Sequence, residues 1–153
     1  MNALKEKYYI TEIFKTKLGN SRGTPIKAKP LYVLAIISCV EDGTIKDNCI
    51  YPQCEELRDK YYGLYAEYEP TMKPSPFVLP FFHLSNESYY NIKWTGKPFV
   101  PSPHAHSPSE KYIRENVAFA YLENSLWDIL KEPKARSRIR EQILQFYFKP
   151  TQS

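Results

Sequence analysis

The sequence predicts an α+β, mostly helical fold. Three observations carry this expectation. Apolar residues recur at steps of three and four over several long stretches. One central stretch is rich instead in aromatic and β-branched residues. Gly and Pro cluster mainly between these stretches. With 153 residues, 42% hydrophobic and 25% charged, the chain can bury one core, so residues 1–150 read as a single domain and 151–153 as a tail.

Residues 2–18 read as the first helix. Leu4, Tyr8, Phe14 and Leu18 fall near one face, Glu6, Lys7, Glu12 and Lys15 stay on the solvated side, and Gly19 follows as a stop signal. Residues 19–30 form a basic loop punctuated by Gly and Pro, which brings Arg22, Lys27 and Lys29 to the start of the next element. Such a loop is either a phosphate site or a solvated connector. Residues 30–42 (PLYVLAIISCVED) are apolar on nearly all sides and mark the buried centre of the fold. Pro30 suits a helix start and Gly43 a helix end. The β-branched content leaves a buried strand open, and the length favours a helix.

Residues 45–51 suit one short strand. The clearest helix is 52–68, where Cys54, Leu57, Tyr61, Leu64 and Tyr68 make one stripe and Glu56 faces Lys60 across one turn. Pro70, Pro74 and Pro76 end it. Residues 77–94 read as a β-hairpin, with strands at 77–84 and 89–94 and Ser85-Asn86-Glu87-Ser88 as the turn. Pro80 inside the first strand implies an edge or a bulge. After a Pro-rich loop at 95–110, Ser109 caps a short helix to Asn116 and Asn124 caps another at 125–131. Pro133 opens the last helix, to about residue 148, with Ala135, Ile139, Ile143 and Phe146 inward. Lys134, Arg136, Arg138 and Arg140 crowd its early turns against the helix dipole, which suits either a functional patch or a salt-bridged surface. Helix, small strand, helix and hairpin is the order of winged-helix modules. The expected architecture is thus a winged-helix-like helical core with one β-hairpin and C-terminal helices.

A net charge of +4 permits a nucleic-acid partner without requiring one. The three cysteines, Cys39, Cys49 and Cys54, lack the spacing of a zinc knuckle, and their odd number argues against a disulfide framework. Residues 1–17 lack the apolar core of a secretion signal, and the apolar run 31–40 falls far short of the ~20 residues of a membrane span, so a cytoplasmic protein without a membrane partner is expected. No nucleotide-binding or hydrolase motif occurs, and neither a catalytic residue nor a cofactor is read from the chain. His104-Ala105-His106 could share a metal if extended, yet no Cys or carboxylate completes a ligand set, so a solvated loop is the plainer reading. His83 lies among aromatics and suits a packed imidazole, a phosphate contact or a base. A small nuclease built on His83, His104 or His106 is the remaining enzymatic reading. The stretch Leu79-Pro80-Phe81-Phe82-His83 makes either a rigid apolar dimple or ordinary core.

The order Lys29-Pro30 with Leu31-Tyr32-Val33-Leu34, then Leu79-Pro80-Phe81-Phe82-His83-Leu84, then Ala120 through Leu130, closing on Arg140 to Phe148, resembles the sulfur-binding domain of phosphorothioate-dependent, HNH-type restriction endonucleases. The resemblance covers residues 3–148. It implies a DNA-recognition module whose partner is double-stranded DNA with sulfur replacing one non-bridging phosphate oxygen. Any cleavage would fall to a nuclease partner protein. It further implies that Pro80, with Leu79 and His83, forms an apolar cup for sulfur, with Lys29 at a position where the family has a cation. On this reading Arg22 and Lys27 of the basic loop join Lys29 in gripping phosphates. The family commonly has His-Lys-Pro or His-Arg-Pro where this chain has Ala28-Lys29-Pro30, and often Tyr where this chain has Leu79. The alternative is a protein-interaction or regulatory subunit of a restriction or defence system that keeps the fold without the DNA site.

Overall fold

One helix without a polar face organises the molecule. In the computed structural model, which describes residues 2–148, this is α2 (Ala28–Glu41), preceded by α1 (Asn2–Phe14), β1 (Gly19–Ser21) and β2 (Thr24–Ile26). Leu31, Tyr32, Ala35, Ile36, Ile37 and Cys39 of α2 are all at most 1% exposed, so it can only sit inside a shell of other elements. That shell is α3 (Glu55–Tyr68), α4 (Val78–His83), β3 (Tyr90–Trp94), α5 (Glu110–Asn116), β4 (Val117–Leu122), α6 (Asn124–Lys131) and α7 (Pro133–Tyr147). The helix ends at Gly43, whose positive φ is the usual stop.

The mostly helical α+β class is what forms, but the hairpin expected at 77–94 is not. Residues 78–83 are helical, followed by a 3-10 turn at Leu84–Asn86. Pro80 lies in the first turn of α4, where a backbone N–H has no intrahelical partner, so its missing donor costs nothing there. Phe77, Pro80, Phe81 and Leu84 are buried at helical spacing. The true partner of β3 is β4, antiparallel, with Tyr90 opposite Leu122 and Ile92 opposite Ala120. Residues 95–116, including α5, connect the two strands, so β3 and β4 do not form a tight wing. The short strand expected at 45–51 reduces to a bridge between Ile50 and Ala120, beside which Asn48 exchanges two hydrogen bonds with the Leu122 backbone.

Two helix faces are turned from expectation. α1 ends at Phe14 and buries Tyr9, Ile10 and Ile13, while Leu4 and Tyr8 are exposed. Glu6 lies on the α7-facing side because Arg138 of α7 clasps it through two bonds of 2.8 and 2.9 Å. On α7, Tyr147 rather than Phe146 continues the buried stripe, and its hydroxyl donates to the Ile13 carbonyl at 2.6 Å. The basic early turns of α7 are a salt-bridged surface: Arg138 pairs with Glu6, Arg140 with Glu41, and Arg136 donates to the Leu130 carbonyl. Glu132 caps the helix, its carboxylate accepting from the Lys134 and Ala135 amides, so a negative charge offsets the dipole conflict.

A buried phenol relay fixes α4 to the core. Tyr90 donates to the Phe81 carbonyl at 2.6 Å, so the Tyr32 hydroxyl, 3.0 Å away, must donate to the Tyr90 oxygen. A direction follows for mutants. Tyr90→Phe strands both the carbonyl and the Tyr32 hydroxyl and is expected to cost about 2–4 kcal/mol, whereas Tyr32→Phe removes only the outer donor and costs about 1 kcal/mol. Urea denaturation of the two variants tests the asymmetry; equal losses would refute the relay.

Candidate nucleic-acid interface

The segment that follows α1 (Lys17 and Leu18), the β1–β2 ribbon, the start of α2 and the exposed side of α4 line a mostly apolar hollow of about 310 Å³. Each wall has a local cause. Gly19 and Ile26 face each other across the ribbon. Its two-residue turn, Arg22-Gly23, has positive φ at both positions, as a type I′ hairpin requires. α4 is held from behind by Phe77 and Phe81, whose rings pack edge-on or tilted against Tyr32 and each other at 5.6–6.3 Å. Its outer side therefore presents Leu79, Pro80 and His83 to the hollow. Leu18, Ala28 and Ser75 complete the lining, with Lys17, Lys29 and Asn86 as its other polar members.

Of the six residues singled out from sequence, the structure brings four together here: Lys29, Leu79, Pro80 and His83. Pro80 is a buried residue that still contributes to the lining. Lys27 turns the other way. Its ammonium donates to the Tyr147 carbonyl and lies 5.3 Å from the Phe148 ring centre, so it caps the end of α7. Arg22 sits exposed at the tip of the ribbon, outside the lining. The loop reading of 19–30 is corrected by this ribbon, which Arg-Gly, an uncommon pair for such a turn, did not announce.

Sequence reasoning missed Glu87. Its Oε2 accepts from Lys29 Nζ at 2.9 Å and from the Lys17 amide at 3.2 Å. Both side chains of the Lys29–Glu87 pair are 14% exposed or less, which makes this a partly buried pair rather than a surface contact. The two residues are 58 apart in sequence, and no local pattern marks them as partners. His83 bonds Ser107 at 2.7 Å through Nε2, clasping the Pro-rich loop against α4. Burial, then the nearby Lys29 and His106, push the His83 imidazole below its ordinary range, so it is neutral at pH 7.

A pH dependence follows from that depressed value. The unfolded chain binds a proton to His83 near pH 6.5, the folded chain only at lower pH. The stabilisation is therefore complete above about pH 6.5 and is lost as pH falls through the folded value. Thermal midpoints from about pH 8 to pH 5 should drop more for the native chain than for His83→Gln. Parallel curves would contradict the assignment. His104 and His106 lie in an exposed loop, and among the described residues no three His, Cys, Asp or Glu side chains cluster to hold a metal ion. No described helix is long and apolar enough to cross a membrane.

No family model and no curated protein matches the chain by sequence. Among solved structures it is similar to the type IV phosphorothioation-dependent restriction endonuclease ScoMcrA, with a TM-score of 0.66 and 14% identity. The match covers 91% of this chain and 29% of that one. The chain has the fold of one part of ScoMcrA. This agrees with the resemblance read from the Lys29-Pro30 and Leu79-Pro80 segments, which pointed to phosphorothioate-dependent restriction endonucleases. The chain spans less than a third of the ScoMcrA chain.

Proposed function

We infer that this chain is a DNA-recognition module that reads a sulfur-substituted backbone through the Pro80 hollow, with any cleavage supplied by a nuclease unit outside this domain. The single observation that carries the reading is the convergence of Lys29 with Leu79, Pro80 and His83 on one apolar recess. The fold shared with part of ScoMcrA, a phosphorothioation-dependent enzyme by its description, supports it. Sulfur in a phosphorothioate is larger, softer and less hydrated than the oxygen it replaces. Transfer into a recess lined by Leu18, Ile26, Leu79 and the Pro80 ring therefore costs less for the sulfur face than for an oxygen face. Lys29 and Lys17 of the lining would hold the remaining phosphate charge, and Arg22, exposed on the ribbon, would meet a flanking phosphate.

The direct test is a titration of matched duplexes with and without one phosphorothioate, at low and moderate salt. Tighter binding of the modified duplex, weakening with salt, is the expected result. Equal affinities remove the sulfur reading, and no binding to either duplex removes the DNA reading. Two observations favour a second reading, that of a protein-interaction subunit: Lys29 is already paired to Glu87 and Lys27 is turned to α7. A stable protein partner with no retention on either duplex would select it.

A further inference from the structure

We propose that Glu87 is a selectivity residue: by holding Lys29 in a partly buried ion pair, it denies ordinary phosphate a free cation and leaves sulfur contact to decide binding. The inference rests on the DNA reading above and adds a role for a residue outside the hollow's lining. Three observations carry it. Lys29 lines the hollow. Glu87 meets its ammonium at 2.9 Å, with only 14% and 12% of the two side chains exposed. The Lys17 amide anchors the same carboxylate oxygen at 3.2 Å, so the carboxylate is fixed in place rather than swinging on a free side chain.

The physical consequence concerns two ligands that differ in one atom. A phosphate diester entering the hollow loses hydration on its oxygens, and a neutralised Lys29 returns little Coulomb attraction in exchange. A phosphorothioate loses less hydration on its sulfur and gains contact with Leu79 and Pro80. A freed Lys29 ammonium would bond an oxygen in the sulfur's place more strongly than it bonds the softer sulfur. Pairing Lys29 to Glu87 therefore lowers affinity for both duplexes and lowers it more for the unmodified one, which is selectivity by an unfavourable element.

Glu87→Gln tests this, because a glutamine oxygen can still accept from the Lys17 amide while releasing Lys29. Glu12→Gln is the control. Glu12 accepts from Ser88, one residue after Glu87, and from the exposed Lys15 at 3.3 Å. Removing its charge alters the general field and frees a lysine outside the hollow's lining without freeing Lys29. Both variants and the native chain are titrated with the matched duplexes, after thermal melts confirm that each is folded. Glu87→Gln is expected to raise affinity for unmodified DNA about tenfold, to raise it less for phosphorothioate DNA, and to steepen the salt dependence by about one counterion. Glu12→Gln should change neither ratio nor slope in that way. An equal gain for both duplexes, or the same effect from Glu12→Gln, overturns the proposal and leaves the DNA reading standing. Failure of every form to bind either duplex overturns the DNA reading and this proposal with it.

Discussion

Lys29→Ala is expected to weaken phosphorothioate DNA binding by about two orders of magnitude, which is the scale for truncating one partner of a desolvated charge pair. The loss has two parts. The hollow loses one of its two lining ammonium groups, and the Glu87 carboxylate, still held by the Lys17 amide, is left without its cation. The second part makes a further outcome calculable: Lys29→Ala combined with Glu87→Gln should bind better than Lys29→Ala alone. The two changes are coupled and their effects do not add. Fluorescence anisotropy with a labelled duplex measures all four corners of this cycle. Unchanged affinity in Lys29→Ala would remove the cation from the recognition surface altogether.

Phe81→Ala is the variant with the largest expected loss of stability, about 3–5 kcal/mol for a fully buried ring. Phe81 packs against Tyr32, Phe77 and Tyr90, and its carbonyl receives the Tyr90 hydroxyl. A helix of six residues has little stability of its own, so α4 depends on this anchorage. Pro80 and Leu79 ride on α4. Stability and DNA binding should therefore fall together in this variant, whereas Lys29→Ala combined with Glu87→Gln, which leaves no unpaired carboxylate, should separate them. Urea unfolding beside the same anisotropy titration distinguishes the two patterns, and a loss below about 1 kcal/mol would show that α4 is held elsewhere.

Much of the helical frame was legible in the sequence because it depends on local spacing. The stripe of Leu57 and Tyr61, the all-apolar run of α2 and the Pro133 start of α7 each announce themselves within one or two turns. The misread segment 77–84 shows propensity and period in conflict. Its aromatic and β-branched content suggests a strand, yet Phe77, Pro80, Phe81 and Leu84 keep the 3-4 spacing of a helix, and the period wins because those residues meet the core. β4 escaped notice for a different reason. Its pairing with β3 spans the whole of 95–116, and Val117–Leu122 contains two alanines where a strand usually shows bulk. The same distinction governs the site. Lys29, Leu79, Pro80 and His83 were grouped through resemblance rather than spacing, and Lys27 was grouped with them because proximity in sequence says nothing about which way a lysine turns. The Lys29–Glu87 contact leaves no local trace at all.

The hollow has unequal sides. α2 and α4 back directly onto the core, but the ribbon of β1 and β2 leaves every residue exposed except the half-buried Ile26. One jaw is thus rigid and the other compliant. A bound backbone would press the loose jaw into register and surrender its motion, so binding should carry an unfavourable conformational-entropy component even where contact is extensive. The same looseness makes the six strand residues and their Arg22-Gly23 turn the part of the recess that can be rewritten with least risk to the folded body. Changes in the width of the opening would be sought there first.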